Sequence, residues 1–400
     1  MKFDFTKPYI AYVGHMLFPW GQAASRRVYG NAMSFVASGH NVTVVSGSAH
    51  PAELTQLEIL ENGCSLSHVG LRVSPTQNDT PLQKAIKLLF AASRHTLDWL
   101  ETQPTRPTHI VLYGGYTPYM MRLLPWCRRN NVSLIADVVE WHSASQFTGG
   151  AFGLSALNVN IAMRYLYPRC DGIITISSYL SRYYKKRGCP IAQVPPTVDM
   201  DTLSSSEGFR IRESKYLTLI YAGSPKNKDL LRPIIDGMKI VDPNFARVRL
   251  IVLGPSEEDV SNMCCDGEAI PPSVLVKGRI PQEEVAEILQ SADFSVLLRP
   301  PLRYADAGFS TKFVESLVNG IPVIANLTGD MGMYLNDGGE GFVCQGYSAE
   351  AFAEVLGLAL TLSPEGLLQM RLNAHSQAKR SFDYRQYSDV LAELIEITHK

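Results

Sequence analysis

From Tyr9 onward, short apolar runs alternate with amphipathic stretches, and the alternation runs through the chain twice with one break. A short apolar run followed by a helical period buries best as a strand and its crossover helix. Repetition of that pair points to a parallel, doubly wound α/β sheet. In the first half, strands are predicted at Tyr9–Val13, Asn41–Val45, His109–Leu112, Val132–Ala136, Gly172–Ile176 and Ile191–Val194. Helical patterns lie near Ser25–Ser38, Leu82–Leu100, Pro118–Arg129, Asn158–Tyr167 and Tyr179–Arg187. Val194-Pro195-Pro196-Thr197-Val198-Asp199 and the polar stretch Ser204–Gly208 then interrupt the pattern as a linker would. It restarts with strands at Leu217–Tyr221, Val248–Leu253, Val274–Lys277, Phe294–Leu298 and Pro322–Ala325. Helices are expected at Leu230–Val241, Glu283–Ser291 and Lys312–Asn319, and finally near Ala349–Leu362, Pro364–Ser381 and Tyr384–His399. Four hundred residues exceed one hydrophobic core, so two domains are expected, 1–198 and 199–383. A ligand crevice is expected between them, at the carboxyl ends of the strands.

The net charge of −1 argues against a dedicated nucleic-acid binder, but it is a sum of unlike halves. Residues 1–198 hold 18 Lys and Arg against 10 Asp and Glu, a net +8; the remaining 19 and 28 give −9. Seven cysteines, with no C-x-x-C pair, read as idle thiols in a reducing cytoplasm. The N-terminus lacks the apolar core of a signal peptide, and no apolar run is long enough for a transmembrane helix. A cytoplasmic protein is expected, peripheral on the inner face of the membrane if it meets a bilayer.

Familiar motifs are missing. No G-x-G-x-x-G follows the first strand, and there is no G-x-x-x-x-G-K-[ST], H-E-x-x-H or G-x-S-x-G. Asp199-Met200-Asp201 has the Asp-x-Asp form of a metal–diphosphate site, but it sits in the linker and reads as a solvated turn. No metal is expected.

Chemistry concentrates in Phe294–Ala325: strand, small-residue loop at Ala307-Gly308-Phe309-Ser310-Thr311, helix, Gly320 stop, strand. Gly308 and Ser310 leave room for a ligand beside the backbone, and the N–H groups opening the helix can receive a phosphate. Lys312 in the first turn opposes the helix dipole unless an anion sits there. Glu315, one turn on, can accept from the vicinal hydroxyls of a ribose. An ordinary α/β unit with a surface lysine and glutamate is the plainer alternative.

In this segment the sequence resembles glycosyltransferase family 4, the retaining sugar-nucleotide transferases of GT-B fold. Gly308-Phe309, Glu315, Gly320 and Pro322-Val323-Ile324 fall in register with its Glu-x7-Glu loop–helix and closing "G-x-P-V-I". The first Glu of that signature is Ala307 here, and Ser310-Thr311-Lys312 resembles a variant loop without it. The resemblance implies two Rossmann-like domains facing each other across a cleft, with the helix 384–400 crossing back to the first. It makes the first domain acceptor-side and the second the nucleotide-sugar donor domain. Glu315 would bind the ribose, and Lys312 with Ser224, Lys226, Lys228 and Arg299 would hold the donor diphosphate. Ser224 stands where the family has Arg. The loop Gly278–Ile280, with Arg279, would bear the base. Gly21 would close over the diphosphate, with Arg26 or Arg27 facing an acceptor or phosphate. Asp137-Val138-Val139-Glu140-Trp141-His142 resembles a family "D-x-H-E", which makes Glu140, and His142 as its neighbour, acceptor-side catalytic candidates. For Lys226, Lys228, Arg26, Arg27, Glu140 and His142, a purely structural or solvated role remains the alternative.

The expected activity is therefore retaining sugar transfer from a UDP- or GDP-sugar, without a further cofactor, to a glycan or lipid-linked acceptor. A non-catalytic sugar-nucleotide binder is the alternative from another class, and a two-domain epimerase or phosphorylase a third. The basic helix through Lys84, Lys87, Arg94 and Trp99, with the cluster Arg182, Lys185, Lys186 and Arg187, suggests an anionic membrane surface. A helix docked on its own sheet is the other reading. The carboxylates of the −9 half are expected mostly on outer faces, with Lys226, Lys228, Arg299 and Lys312 turned toward the cleft.

Overall fold

The computed structural model describes residues 9–21, 23–76, 78–143, 146–147, 149–202, 209, 214–223, 225, 228–264 and 269–400. Ser224, Lys226 and the stretch Ser204–Gly208 therefore lie outside the described residues. The chain divides into two compact units, Met1–Val198 with Tyr384–Lys400, and Asp199–Asp383.

The first unit is built on strands β1 Tyr9–Val13, β2 Asn41–Ser46, β3 Thr55–Ile59, β4 Ser65–Gly70, β5 His109–Tyr113, β6 Ser133–Val138, β7 Gly172–Thr175 and β8 Ile191–Gln193. They form one eight-stranded sheet in the order β3-β4-β2-β1-β5-β6-β7-β8. Every pairing is parallel except β3 with β4. Ile10, Tyr12, Val44, Ile135 and Ile174 of the sheet share a core with Leu391, Leu394 and Ile395 of the last helix, Ser388–Thr398. That helix thus belongs to the first unit although it ends the chain. The Ser133 hydroxyl donates to the Thr398 carbonyl, and Lys400 pairs with Asp171 at 2.9 Å.

The second unit has β9 Leu217–Ala222, β10 Val248–Leu253, β11 Val274–Gly278, β12 Phe294–Leu297, β13 Val323–Asn326 and β14 Gly341–Cys344. All pair in parallel in the order β11-β10-β9-β12-β13-β14. Three strands escape the sequence reading. β3 is a largely exposed edge without an apolar run, and β14 is only four residues long. β4 is buried, but through Ser67 and His68 as well as Leu66 and Val69, so no apolar run marks it. His68 bonds the Ser46 hydroxyl at 2.8 Å and meets the Phe18 ring edge-on.

Burial pushes the His68 and His109 imidazoles down to about 4; for His109 the neighbouring His399 and His40 lower it further. Both are neutral in the folded unit and titrate near 6.5 when unfolded. Their contribution is complete above that value and is lost as pH falls towards about 4. A melting temperature followed across this window should fall, and the fall should be smaller in His68→Gln.

The helix Ala23–Ala37 fastens both chain passages at the edge of the first unit. Arg27 is buried and pairs with Asp137 at the end of β6 at 2.9 Å, while its Nη1 donates to the Pro195 carbonyl at 2.7 Å and to the Val194 carbonyl. Tyr12 donates to the same carboxylate at 2.6 Å, and Asn31 donates to it as well. Gly30 lies against Thr197, where any Cβ would overlap the threonine hydroxyl. Ser34 donates to the Tyr384 carbonyl at 2.7 Å, and the Tyr384 N–H donates to the Val198 carbonyl at 3.0 Å. The expectation that Arg27 faces an acceptor or phosphate is corrected here: its guanidinium is spent inside the unit. Arg27→Ala would leave Asp137 buried and uncompensated, and urea unfolding should report a loss of about 3–5 kcal/mol.

Candidate functional site

β9 and β12 are neighbours at the middle of the second sheet, and polar chemistry collects just beyond their carboxyl ends. The centre is Asp229, whose side chain is 1% exposed. Its Oδ1 accepts from Arg299 Nε at 2.7 Å, and its Oδ2 from Lys312 Nζ at 2.7 Å and from the Tyr221 hydroxyl at 2.7 Å. Burial alone would raise the Asp229 carboxyl. The Arg299 guanidinium and the Lys312 ammonium outweigh it and hold the group below its ordinary value. Two cations on one carboxylate leave an excess positive charge, and the cations are the partners that reach solvent, at 11% and 22% exposure. Such an arrangement can receive an anion on already positioned donors.

Each member is fixed by its own element. Tyr221 is the penultimate residue of β9. Arg299 follows β12, and Asn326 at the end of β13 brackets it, accepting from its N–H and donating to its carbonyl, both at 2.8 Å. Lys312 stands in the first turn of the helix Thr311–Val318, whose N-cap Ser310 accepts from the Phe313 N–H. The opening N–H groups of that turn have no partner within the helix. The Lys312 stem crosses Gly223, just past β9, where φ is +145° and an added Cβ would overlap Lys312 Cε. Gly254 after β10 packs as tightly, since a Cβ there would overlap the Gly223 carbonyl oxygen. The strand ends thus form a side-chain-free shelf beside the two cations.

A short helix, Arg303–Ala307, leads into the expected small-residue loop. Tyr304 from this helix donates to the Lys228 carbonyl at 2.6 Å, and Gly308 N–H donates back to Tyr304 at 3.0 Å. Ala307 is fully buried and carries no carboxylate, and Asp306 beside it accepts from the Gly329 N–H at 3.1 Å. The Phe309 ring meets Phe313, Tyr334 and Phe382 in an aromatic cluster. With its ring in this cluster, Phe309 is half-buried. Glu315 is half-buried one turn after Lys312, and Arg279 is exposed beside Gly278 at the end of β11.

In the first unit, Glu140 and His142 come together at 3.0 Å, both partly exposed, beyond the end of β6. Gly21 is exposed with φ +105° and open space around it, and Arg26 is half-buried. Asp229, Tyr221 and Asn326 are the residues the sequence reading misses. Its expectation that acids lie on outer faces hid Asp229, and the one available signal was an acid embedded in the basic run after Gly223. Six of the cysteines are free thiols, and Cys265 is outside the described residues. Among the described residues, no group of three His, Cys, Asp or Glu side chains is placed to hold a metal ion.

Two doubly wound parallel sheets, with the last helix returned to the first unit, define a GT-B fold, the fold of a large class of glycosyltransferases. Residues 22–197 match the family described as "Glycosyl transferase 4-like domain", and residues 206–380 match "Glycosyl transferases group 1". The chain belongs to the family 4-like glycosyltransferases. Among solved structures it is similar to a sucrose-phosphate synthase from Thermosynechococcus elongatus, with 16% identity, TM-score 0.71 and 98% of each chain covered. It is similar to the Anabaena protein HepE, crystallised with UDP and glucose, at 14% identity and TM-score 0.63 over 98% of this chain and 100% of that one. WaaG, a glycosyltransferase of lipopolysaccharide biosynthesis, aligns at 16% identity and TM-score 0.64 over 98% and 100%. At these identities the likeness concerns the fold alone. No curated protein sequence matches the chain.

Proposed function

We propose that the chain is a retaining glycosyltransferase that moves a sugar, of hexosyl type, from a UDP- or GDP-sugar to an acceptor hydroxyl without a metal ion. The observation that carries this reading is the convergence of Arg299 and Lys312 on buried Asp229 beside the Gly223 shelf. A donor diphosphate placed there gains charge on its β-phosphate as the bond from sugar C1 to the phosphate oxygen breaks. Cations already oriented stabilise that charge more than the intact donor, which is catalysis by electrostatics alone. The departing oxygen takes the bonding electron pair and then the acceptor proton, while the acceptor oxygen bonds C1 on the same face. Such a step needs no pair of carboxylates for double displacement. Glu315 would hold the ribose hydroxyls, Lys228 and Arg279 would lie along the donor, and the backbone of Gly308–Thr311 would meet its phosphates. The HepE structures containing UDP and UDP-glucose support a nucleotide-sugar donor. Glu140 with His142, Arg26 and Gly21 are proposed for the acceptor side. The acceptor is a glycan or lipid-linked precursor reached from the cytoplasm, for which the +8 of residues 1–198 suits an anionic molecule.

The experiment is incubation with UDP- and GDP-sugars and an extract of lipids and oligosaccharides, reading release of nucleoside diphosphate and the anomeric configuration of the product. Acceptor-dependent release with retained configuration is expected. Donor binding without release under any pairing would favour a non-catalytic binder, and inversion would overturn the mechanism.

A further inference from the structure

Arg299 stands where a strand has run out of partners. β12 pairs with β13 as far as Leu297, which lies opposite Ala325. β13 stops at Asn326, and the chain then turns at Thr328, whose carbonyl accepts from the Met331 N–H at 3.3 Å. Arg299 itself is followed by Pro300 and Pro301, which have no N–H to offer a ladder. The residue before a proline is held in extended backbone, and in such backbone its N–H and C=O point to the same side. For Arg299 both groups meet the Asn326 side chain. The Arg299 N–H donates to Oδ1 and Nδ2 donates to the Arg299 carbonyl, each at 2.8 Å.

One carboxamide thus serves Arg299 as a neighbouring strand serves Leu297. Asn carries a donor and an acceptor in a short planar group. Asp offers acceptors alone, and Leu, of similar volume, offers neither. Asn326 is buried, and its own backbone is paired with Cys344 of β14, so the clamp is anchored in the sheet. The consequence lies at the other end of the arginine. Its Nε donates to Asp229 Oδ1 at 2.7 Å, while among the described residues its two Nη groups have no hydrogen-bond partner. The Asp229 main chain is tied separately: the Leu230 N–H donates to the Leu298 carbonyl at 2.9 Å, and the Lys228 carbonyl accepts from Tyr304. Carboxylate and guanidinium are therefore set by different anchors. An arginine loses much rotamer freedom when it docks, and here that ordering is complete before any anion arrives.

We propose that Asn326 is a positioning residue, whose carboxamide holds the Arg299 main chain so that Nε stays on Asp229 and the Nη fork faces the anion position. The catalytic consequence rests on the proposed sugar transfer, whereas the positioning is measured without any donor. In the full chain labelled with 15N-arginine, the Arg299 Nε–H resonance is assigned by its loss in Arg299→Lys. Its exchange with water should be slow in the wild type and at least about tenfold faster in Asn326→Leu, which keeps the volume and removes the amide. Asn326→Asp, which keeps the acceptor and loses the donor, should also exchange faster. With donor and acceptor supplied, Asn326→Leu should lower kcat about 10- to 100-fold, the scale of a misplaced catalytic group. In an Arg299→Ala background the same substitution should lower kcat no further, because the group it positions is gone. A loss of packing alone would persist in that background. Unchanged Nε–H exchange in Asn326→Leu would overturn the proposal, and so would an equal kcat loss with and without Arg299. A wild-type chain that transfers no sugar would overturn the transferase reading instead, and the Nε–H exchange would still decide the positioning.

Discussion

Replacing Lys312 with Ala is expected to lower kcat for sugar transfer by about 100- to 1,000-fold, the scale of removing one preorganised donor from a developing anion. Lys312 sits 2.7 Å from a buried carboxylate that it shares with Arg299, so its position is set before any donor arrives. The fold should survive the change, because Asp229 keeps Arg299 and Tyr221 as partners. Lys312→Arg should restore little. The stem passes over Gly223 with no spare room, and a planar fork does not fit the path of a single ammonium. Steady-state kinetics beside a thermal melt separates these outcomes. Full activity in Lys312→Ala would remove the residue from the mechanism.

The second large effect concerns Asp229, which touches no donor in this account but positions the two groups that do. Asp229→Asn keeps the shape and removes the charge. Arg299 and Lys312 then repel one another and lose their common anchor. We expect kcat to fall about 100-fold, while affinity for the bare nucleoside diphosphate stays level or rises, since its phosphates meet two uncompensated cations. A merely structural role would lower both together. The variant should also lose about 3–5 kcal/mol of stability without ligand and regain part of it when UDP or GDP is added.

Fold and site differ in how far the sequence discloses them. The twofold rhythm of apolar runs and helical stretches is legible because burial of parallel strands on both faces demands apolar residues. For the same reason β4, whose buried positions include Ser67 and His68, is not legible. Lys312, Arg299 and Glu315 can be named from their places at a strand end and in a first helical turn. Their meeting point cannot. Asp229 is 70 residues from Arg299 and 83 from Lys312, and nothing local in the chain announces a contact of that span. Arg27 illustrates the converse. Beside Arg26 in sequence it reads as an equal candidate, yet the helical period turns it inward to Asp137 and the chain passage at Val194–Pro195. The net −9 of the second half is likewise compatible with an anion site, because the buried carboxylate there is outnumbered by the cations that hold it.

In the proposed mechanism the nucleotide of a sugar donor binds at the ends of β9 and β12 with Glu315 on its ribose. Calorimetric titration of UDP and of GDP into the wild-type chain and into Glu315→Ala tests it most directly. One of the two nucleotides should bind the wild type, and the variant should bind it about 10- to 100-fold more weakly, the worth of charge-assisted hydrogen bonds to two hydroxyls. Equal affinity in the two proteins, or no binding of either nucleotide to the wild type, would contradict the account.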